Sequence, residues 1–339
     1  MAGTRAQVSG TGIGIEKTLE KEQIPSGLVP ALSPFVTLAR QVVEGRSYLL
    51  TRRCTQRQYL LRPDPLTEEA YEYCLGEAVE RFSITLHGWI AMSNHEHVII
   101  RDNLGNFPEF LAHFHKMVAK VVNAHRGRRE NLWATEQPNV VYLVSPEDAF
   151  DKLVYLLSNP ISDDLVERAA DWPGASSYGL HLSSRARTVK RPHIFFRADG
   201  AMPESVTLKP ERLEGYEALS EEEWRDKIGK AVQAAEERAR KERIRSGRRV
   251  LGRKNVLNMS PTDSPTTAEP RRGIRPHIAC RDRERRIREL TALRVFRFAY
   301  REARLRFERG EHRVEFPLGT YWMLRFRSRF ALETAPAVA

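Results

Sequence analysis

The sequence predicts an α+β fold, a ferredoxin-like antiparallel sheet with covering helices, followed by a basic helical C-terminal extension. Three observations support this. Between residues 47 and 159, short β-branched runs alternate with longer segments of helical period, in the order β-α-β-β-α-β-α. Two of the β runs are separated only by Met92, Ser93 and Asn94, a hairpin spacing that sets them antiparallel. Between Arg271 and Arg309, fourteen arginines stand against five acids and are interleaved with Leu290, Leu293, Phe296, Phe298 and Tyr300, as in a helix that is basic along its length.

Each element follows from its own residues. Residues 1–40 mix Gly, Pro, Ser and scattered charge without a period, so a poorly ordered arm is expected there. Ser47 to Arg53 reads as a strand, Pro63 to Pro65 as a loop, and Leu66 to Phe82 as a helix with Thr67 as its cap. Ser83 to Ala91 and His95 to Arg101 are the two hairpin strands. From Phe107 to His125 the apolar side chains Phe110, Leu111, Phe114, Met117, Val118, Val121 and Val122 mark an amphipathic helix. Val140 to Val144 is a strand, after which Ser145, Pro146 and Glu147 open a helix that should run to Asn159 and stop at Pro160. The domain layout expected is therefore a core over 41–180, an irregular connection and charged helix over 181–245, a disordered linker over 246–273 and a basic helical segment over 274–339.

Composition narrows the partners. The 339 residues carry 55 Lys and Arg against 44 Asp and Glu, a formal charge of +11 with a pI near 9.7. That balance suits a polyanion such as nucleic acid, and it equally suits a basic protein whose charge only keeps it soluble. Cys54, Cys74 and Cys280 include no C-x-x-C pair, so neither a disulfide framework nor a zinc cluster is indicated. No apolar run approaches the ~18 residues of a membrane helix, and no signal-like segment opens the chain. A cytoplasmic location is expected, with no membrane partner.

Strand periodicity points His95 and His97 the same way, as two imidazoles for one ion, and turns Glu96 to the opposite face. On the helix before Pro160, Tyr155 and Asn159 are four residues apart and share a face with Lys152. Such a set suits phosphodiester cleavage. Tyr155 would attack phosphorus, and Lys152 would stabilise developing negative charge. His95, His97 and Asn159 would hold a divalent metal, Mg2+ or Mn2+, since an amide oxygen is a hard ligand. Spacing alone also fits two ordinary strand histidines and a packed tyrosine ahead of a helix stop. Tyr142 and Tyr178 lack a ligand-type neighbour at helical spacing, and His87, His113, His115 and His125 read as surface or packing residues.

The segments MSNHEH, NAHRGRRENLW, DAFDKLVYLLSNP and DWPGASSY, in that order across about residues 45 to 180, resemble the REP-associated tyrosine transposases, IS200/IS605-like single-tyrosine members of the HUH endonuclease superfamily. The resemblance implies the HUH/Y1 transposase fold, His95 and His97 as the metal pair, Asn159 as an amide ligand and Tyr155 as the nucleophile. It also implies cleavage and rejoining of single-stranded DNA beside a hairpin, through a 5'-phosphotyrosine link and a free 3'-hydroxyl. Trp133, Trp172 and Ser177 match structural positions of that signature. Glu96 departs from it, because an apolar residue is usual between the two histidines. If its face is buried, Glu96 needs a partner such as an arginine.

A second reading on the same scaffold is a DNA- or RNA-binding regulator that has lost cleavage. A replication or conjugative nickase of the same superfamily fits the motifs less well. A monomer or a homodimer is expected, with the site formed within or between chains. The arginine-laden helix would either grip the duplex stem of a hairpin through its backbone or pack as a solvated helix on the core. In the closing stretch, Phe316, Tyr321 and Trp322 would either stack on unpaired bases or belong to the core.

Overall fold

The protein is described here by a computed structural model covering residues 38–267, 276–311 and 313–325. Residues 1–37 of the expected arm lie outside the described residues, and the body of the chain begins at Ala39.

The β-branched and apolar residues of Ser47–Arg53 form β1. Helix α1 spans Pro65–Arg81 and is capped by Asp64, whose carboxylate accepts from the Thr67 backbone N–H at 2.9 Å. The expected cap, Thr67, therefore lies inside the helix. Pro65 has a φ suited to the first helical position, and this moves the start back to the residue before it. β2 covers Thr85–Ala91 and β3 covers His95–Arg101. Ser83, expected in the strand, has a left-handed φ of 53° and belongs to the turn before it. α2 spans Phe107–His125, β4 Asn139–Leu143 and α3 Pro146–Ser162. Ser145 and Asp148 form a reciprocal capping box at the start of α3.

Pro160 does not stop α3 as its residue type suggests. It is buried within the last turn of the helix, and the fully buried Ile161 beside it packs into the core, so burial outweighs the loss of one N–H donor.

The remaining elements are α4 (Tyr178–Ser183), β5 (Arg187–Lys190), β6 (Ser205–Leu208), α5 (Glu221–Ser246), α6 (Arg253–Asn258), β7 (Ile278–Ala279) and α7 (Arg283–Glu308). β5 and β6 pair as an antiparallel ribbon where only irregular chain was expected. Val206 and Leu208 of the ribbon close on Gly76 of α1, where a Cβ would lie 2.6 Å from Val206. Residues 246–267 depart from the expected disordered linker. Leu251 and Gly252 donate to the carbonyls of Asp164 and Leu165, Tyr59 N donates to Asp263 O, and Val256 is fully buried. Backbone pairing with distant chain supplies an order that a Ser, Thr and Pro composition does not encode. Residues 268–273 of that segment lie outside the described residues.

The main sheet has the order β2-β3-β1-β4-β7. Its first four strands are mutually antiparallel, in the ferredoxin-like arrangement that the element order predicts, and β7 joins parallel to β4. Leu50, Val98 and Ile100 face one core with α1 and α2, while Leu49, Ile99, Val141 and Leu143 face a second core with α3 and α5. The sheet is thus covered on both faces, and α3 lies on the face to which His95 and His97 belong. The basic C-terminal helix is present as α7.

Candidate active site

β1 and β3 pair with Thr51 opposite His97 and Arg52 opposite Glu96, so each pair shares a face of the sheet. On the α3 face, Thr51 Oγ1 lies 2.8 Å from His97 Nδ1. His95 Nδ1 lies 2.7 Å from Asn94 Oδ1. With an oxygen at each Nδ1, a proton on that nitrogen leaves the lone pair on Nε2, the orientation found in metal-ligating histidines. The two rings meet edge to face, with centroids 4.9 Å apart.

Helix α3 brings the other groups. Asn159 Nδ2 donates to His97 Nε2 at 3.3 Å, and the Tyr155 ring lies edge-on to His97 with centroids 5.5 Å apart. Lys152 Nζ stands 5.5 Å from the centre of the Tyr155 ring. All five side chains singled out from the sequence therefore converge, and all five come from one chain. Gly88 permits this closeness. It follows a bulge in β2, and a Cβ there would meet Leu153 Cδ1 of α3 at 2.6 Å.

Electrostatics favour neutral imidazoles. Burial lowers the pKa of His95 to about 4, with Asn159 partly offsetting the effect and Arg53 adding to it. Burial also holds His97 well below its usual value, and repulsion from the Lys152 ammonium and from His95 whenever that ring is protonated pushes in the same direction. Tyr155 is 43% exposed, yet desolvation and then the charge of Asp163 raise its phenol above the usual value, with Asn159 opposing. At neutral pH the phenol keeps its proton.

The donor set fits a divalent cation. Asn159 Oδ1 is buried without a hydrogen-bond partner among the described residues, and a half-turn of the amide exchanges it with Nδ2 beside His97. No cluster of three or more His, Cys, Asp or Glu side chains suited to a metal occurs among the described residues, so two imidazoles and one amide oxygen are the available ligands here. Such a set leaves positions open for phosphate oxygens and water.

The opposite face of β3 resolves the place of Glu96. Its carboxylate receives His115 Nε2 at 2.5 Å, and Arg52 Nη1 lies 2.9 Å from His115 Nδ1, with the Glu96 and His115 side chains almost wholly buried. The partner is thus a histidine, with an arginine behind it. His113 pairs with Glu77, His125 with Asp64, and His87 with the Glu211 carbonyl. Trp133 and Trp172 donate their indole N–H groups to the carbonyls of His115 and Ala91, and Ser177 Oγ accepts from the Trp89 backbone N–H. These three are structural fasteners around the site.

Two solved structures are similar to this one. A REP-associated tyrosine transposase bound to a REP hairpin matches 49% of this chain and 99% of its own, at 16% identity and a TM-score of 0.37. A protein of Deinococcus radiodurans R1, provisionally called a transposase, matches 34% of this chain and 93% of its own, at 15% identity and a TM-score of 0.27. No protein-family profile matches the sequence, and no curated protein does.

Thr51, Asn94 and Asp163 were not singled out from the sequence. Asn94 was legible as the polar residue directly before His95. Thr51 becomes visible only through strand register, and Asp163 only because α3 continues past Pro160. Among the described residues, no helix is long and apolar enough to cross a membrane.

Proposed function

We propose that the chain cleaves and rejoins single-stranded DNA beside hairpins, as a transposase whose nucleophile is Tyr155. The observation that carries this reading is the meeting of a half-exposed phenol with two neutral, oriented imidazoles and an unpartnered amide oxygen. A pure binding module has no physical need for that combination.

Tyr155 Oη attacks phosphorus, the P–O3' bond breaks, and the DNA is left joined to tyrosine through its 5'-phosphate. The phenol proton leaves to water, and the nearby charge of Asp163, which raises the phenol above its usual value, disfavours a free phenolate before attack. The departing 3'-oxygen takes a proton from water and becomes a free hydroxyl. Lys152 balances negative charge that builds on the phosphate. His95, His97 and Asn159 would hold Mg2+ or Mn2+, which when bound polarises the phosphate. Because the phosphotyrosine bond conserves the energy of the broken one, attack by a 3'-hydroxyl reverses the step and joins strands.

The test is incubation of the full chain with a 3'-end-labelled hairpin DNA bearing a single-stranded tail, in Mn2+ or Mg2+, followed by denaturing electrophoresis. A labelled protein band that disappears in Tyr155→Phe and in His97→Ala is expected. Absence of any adduct from the folded wild type in either metal sinks the reading and leaves the non-cleaving DNA-binding regulator.

A further inference from the structure

The face of α7 turned away from the body combines charge and apolar surface in a pattern that packing among the described residues does not use. Only Phe296 and Ala303 of this helix are buried. With about 100° per residue, Arg283, Arg294 and Arg301 fall within roughly 20° of one another on the far side, over a rise of roughly 27 Å. Phe298 and Leu305 share that stripe and are 62% and 36% exposed, and Ile287, 52% exposed, lies at its edge, where it also lines a cavity with Gln41 and Leu318. None of the three arginines has an acidic partner among the described residues, whereas Arg304 and Arg306 are paired with Glu308 and Glu311.

The helix is anchored to the candidate active site. Arg281, just before α7, forms an ion pair with Asp151 of α3, next to Lys152, and its backbone N–H donates to Asp148 at 2.7 Å. Arg285 donates to the Val144 carbonyl at 2.8 Å, and Arg297 to the Ala39 carbonyl at 3.3 Å. A ligand on the far face is thereby held in fixed relation to the helix that bears Tyr155.

We propose that Arg283, Arg294 and Arg301, grouped around Phe298, grip the sugar-phosphate backbone of the duplex stem next to the strand that enters the Tyr155 site. The identity of the bound strand rests on the proposed cleavage function, while the duplex contact itself rests on α7. Charge complementarity selects this occupant. Guanidinium groups bind phosphate oxygens in pairs, and a polyanion satisfies all three at once. In a symmetric pairing of two α7 helices, Arg294 and Arg301 would instead occupy the seam between Ile287, Phe298 and Leu305, which places like charge in the interface.

The test uses the full chain carrying Tyr155→Phe, so that binding is measured without cleavage. Fluorescence anisotropy follows a labelled tailed hairpin, and the same tail without a stem, between about 50 and 200 mM salt. In the variant R283Q/R294Q/R301Q, hairpin binding is expected to weaken by about tenfold or more, and the slope of log K against log salt to flatten by about 3, at roughly 0.9 per phosphate contact. Binding of the stemless tail should be unchanged, and R283K/R294K/R301K should keep the wild-type slope. An unchanged hairpin slope, or an equal loss on both DNAs, overturns the proposal. So does F298A if it dissolves an oligomer in light scattering without changing hairpin affinity, which would mark the face as a contact between copies of the chain. A missing covalent adduct with the wild type would refute only the Tyr155 reading, because a stem-specific loss in the arginine variant does not depend on cleavage.

Discussion

Thr51 Oγ1 holds His97 Nδ1 at 2.8 Å, and the ring nitrogen facing α3 is Nε2 as a result. The contact exists because β1 and β3 pair Thr51 directly with His97. Thr51→Val removes the oxygen at nearly constant volume, and Asn94→Ala removes the equivalent partner of His95. Each should weaken Mn2+ binding about 10- to 100-fold, the usual effect of losing an outer partner of a ligating histidine. Calorimetric titration of Mn2+ measures this, and Thr51→Ser should restore most of the affinity.

Glu96 and His115 form a buried pair that supports β3 from behind. Glu96→Ala leaves His115 Nε2 without its acceptor and the Arg52 guanidinium behind it without a nearby counter-charge, and a loss of about 3 to 5 kcal/mol of stability is expected. Glu96→Gln keeps an acceptor oxygen and should cost less. Urea unfolding of the three proteins gives the comparison, and equal midpoints would show that the pair is replaceable by water.

Gly88 lets α3 approach the sheet two residues before Tyr155. Gly88→Ala drives a methyl group into Leu153 and should destabilise the fold by about 1 to 3 kcal/mol as an overpacked core does. Adduct formation should fall as well, because the displaced helix carries Lys152, Tyr155 and Asn159. The double variant Gly88→Ala/Leu153→Ala should recover part of the lost adduct, as read from labelled DNA on denaturing gels.

Acid should unfold the protein through its buried histidines. Burial, chiefly, lowers the His181 pKa to about 3 and the His95 pKa to about 4, against an ordinary value near 6.5. Between those values the unfolded chain binds protons that the folded chain does not. Stability is therefore complete above about pH 6.5 and is lost as pH falls toward 3, by about 1.4 kcal/mol per pH unit for each such group within its window. Denaturant unfolding across this range should show the slope, and His181→Gln should make it shallower.

The sequence by itself determined the βαββαβ order, the strand that carries His95 and His97, and the helix face that carries Lys152, Tyr155 and Asn159. These follow from local rules: a period of 2 or 3.6 in the apolar residues, and cap and turn residues at fixed offsets. Local rules misplace features where a distant contact is stronger than a local preference. Pro160 continues α3 because Ile161 is buried, and residues 246–267 are ordered because Asp164, Leu165 and Tyr59 pair with them.

Tertiary structure alone decided that the two halves of the site meet, that Thr51 lies opposite His97, and that Glu96 is answered by His115. Each of these is a relation between residues about 20 to 60 positions apart in the chain. Strand register and helix docking fix such relations, and both are set by the shape of a shared core that no short stretch of sequence contains.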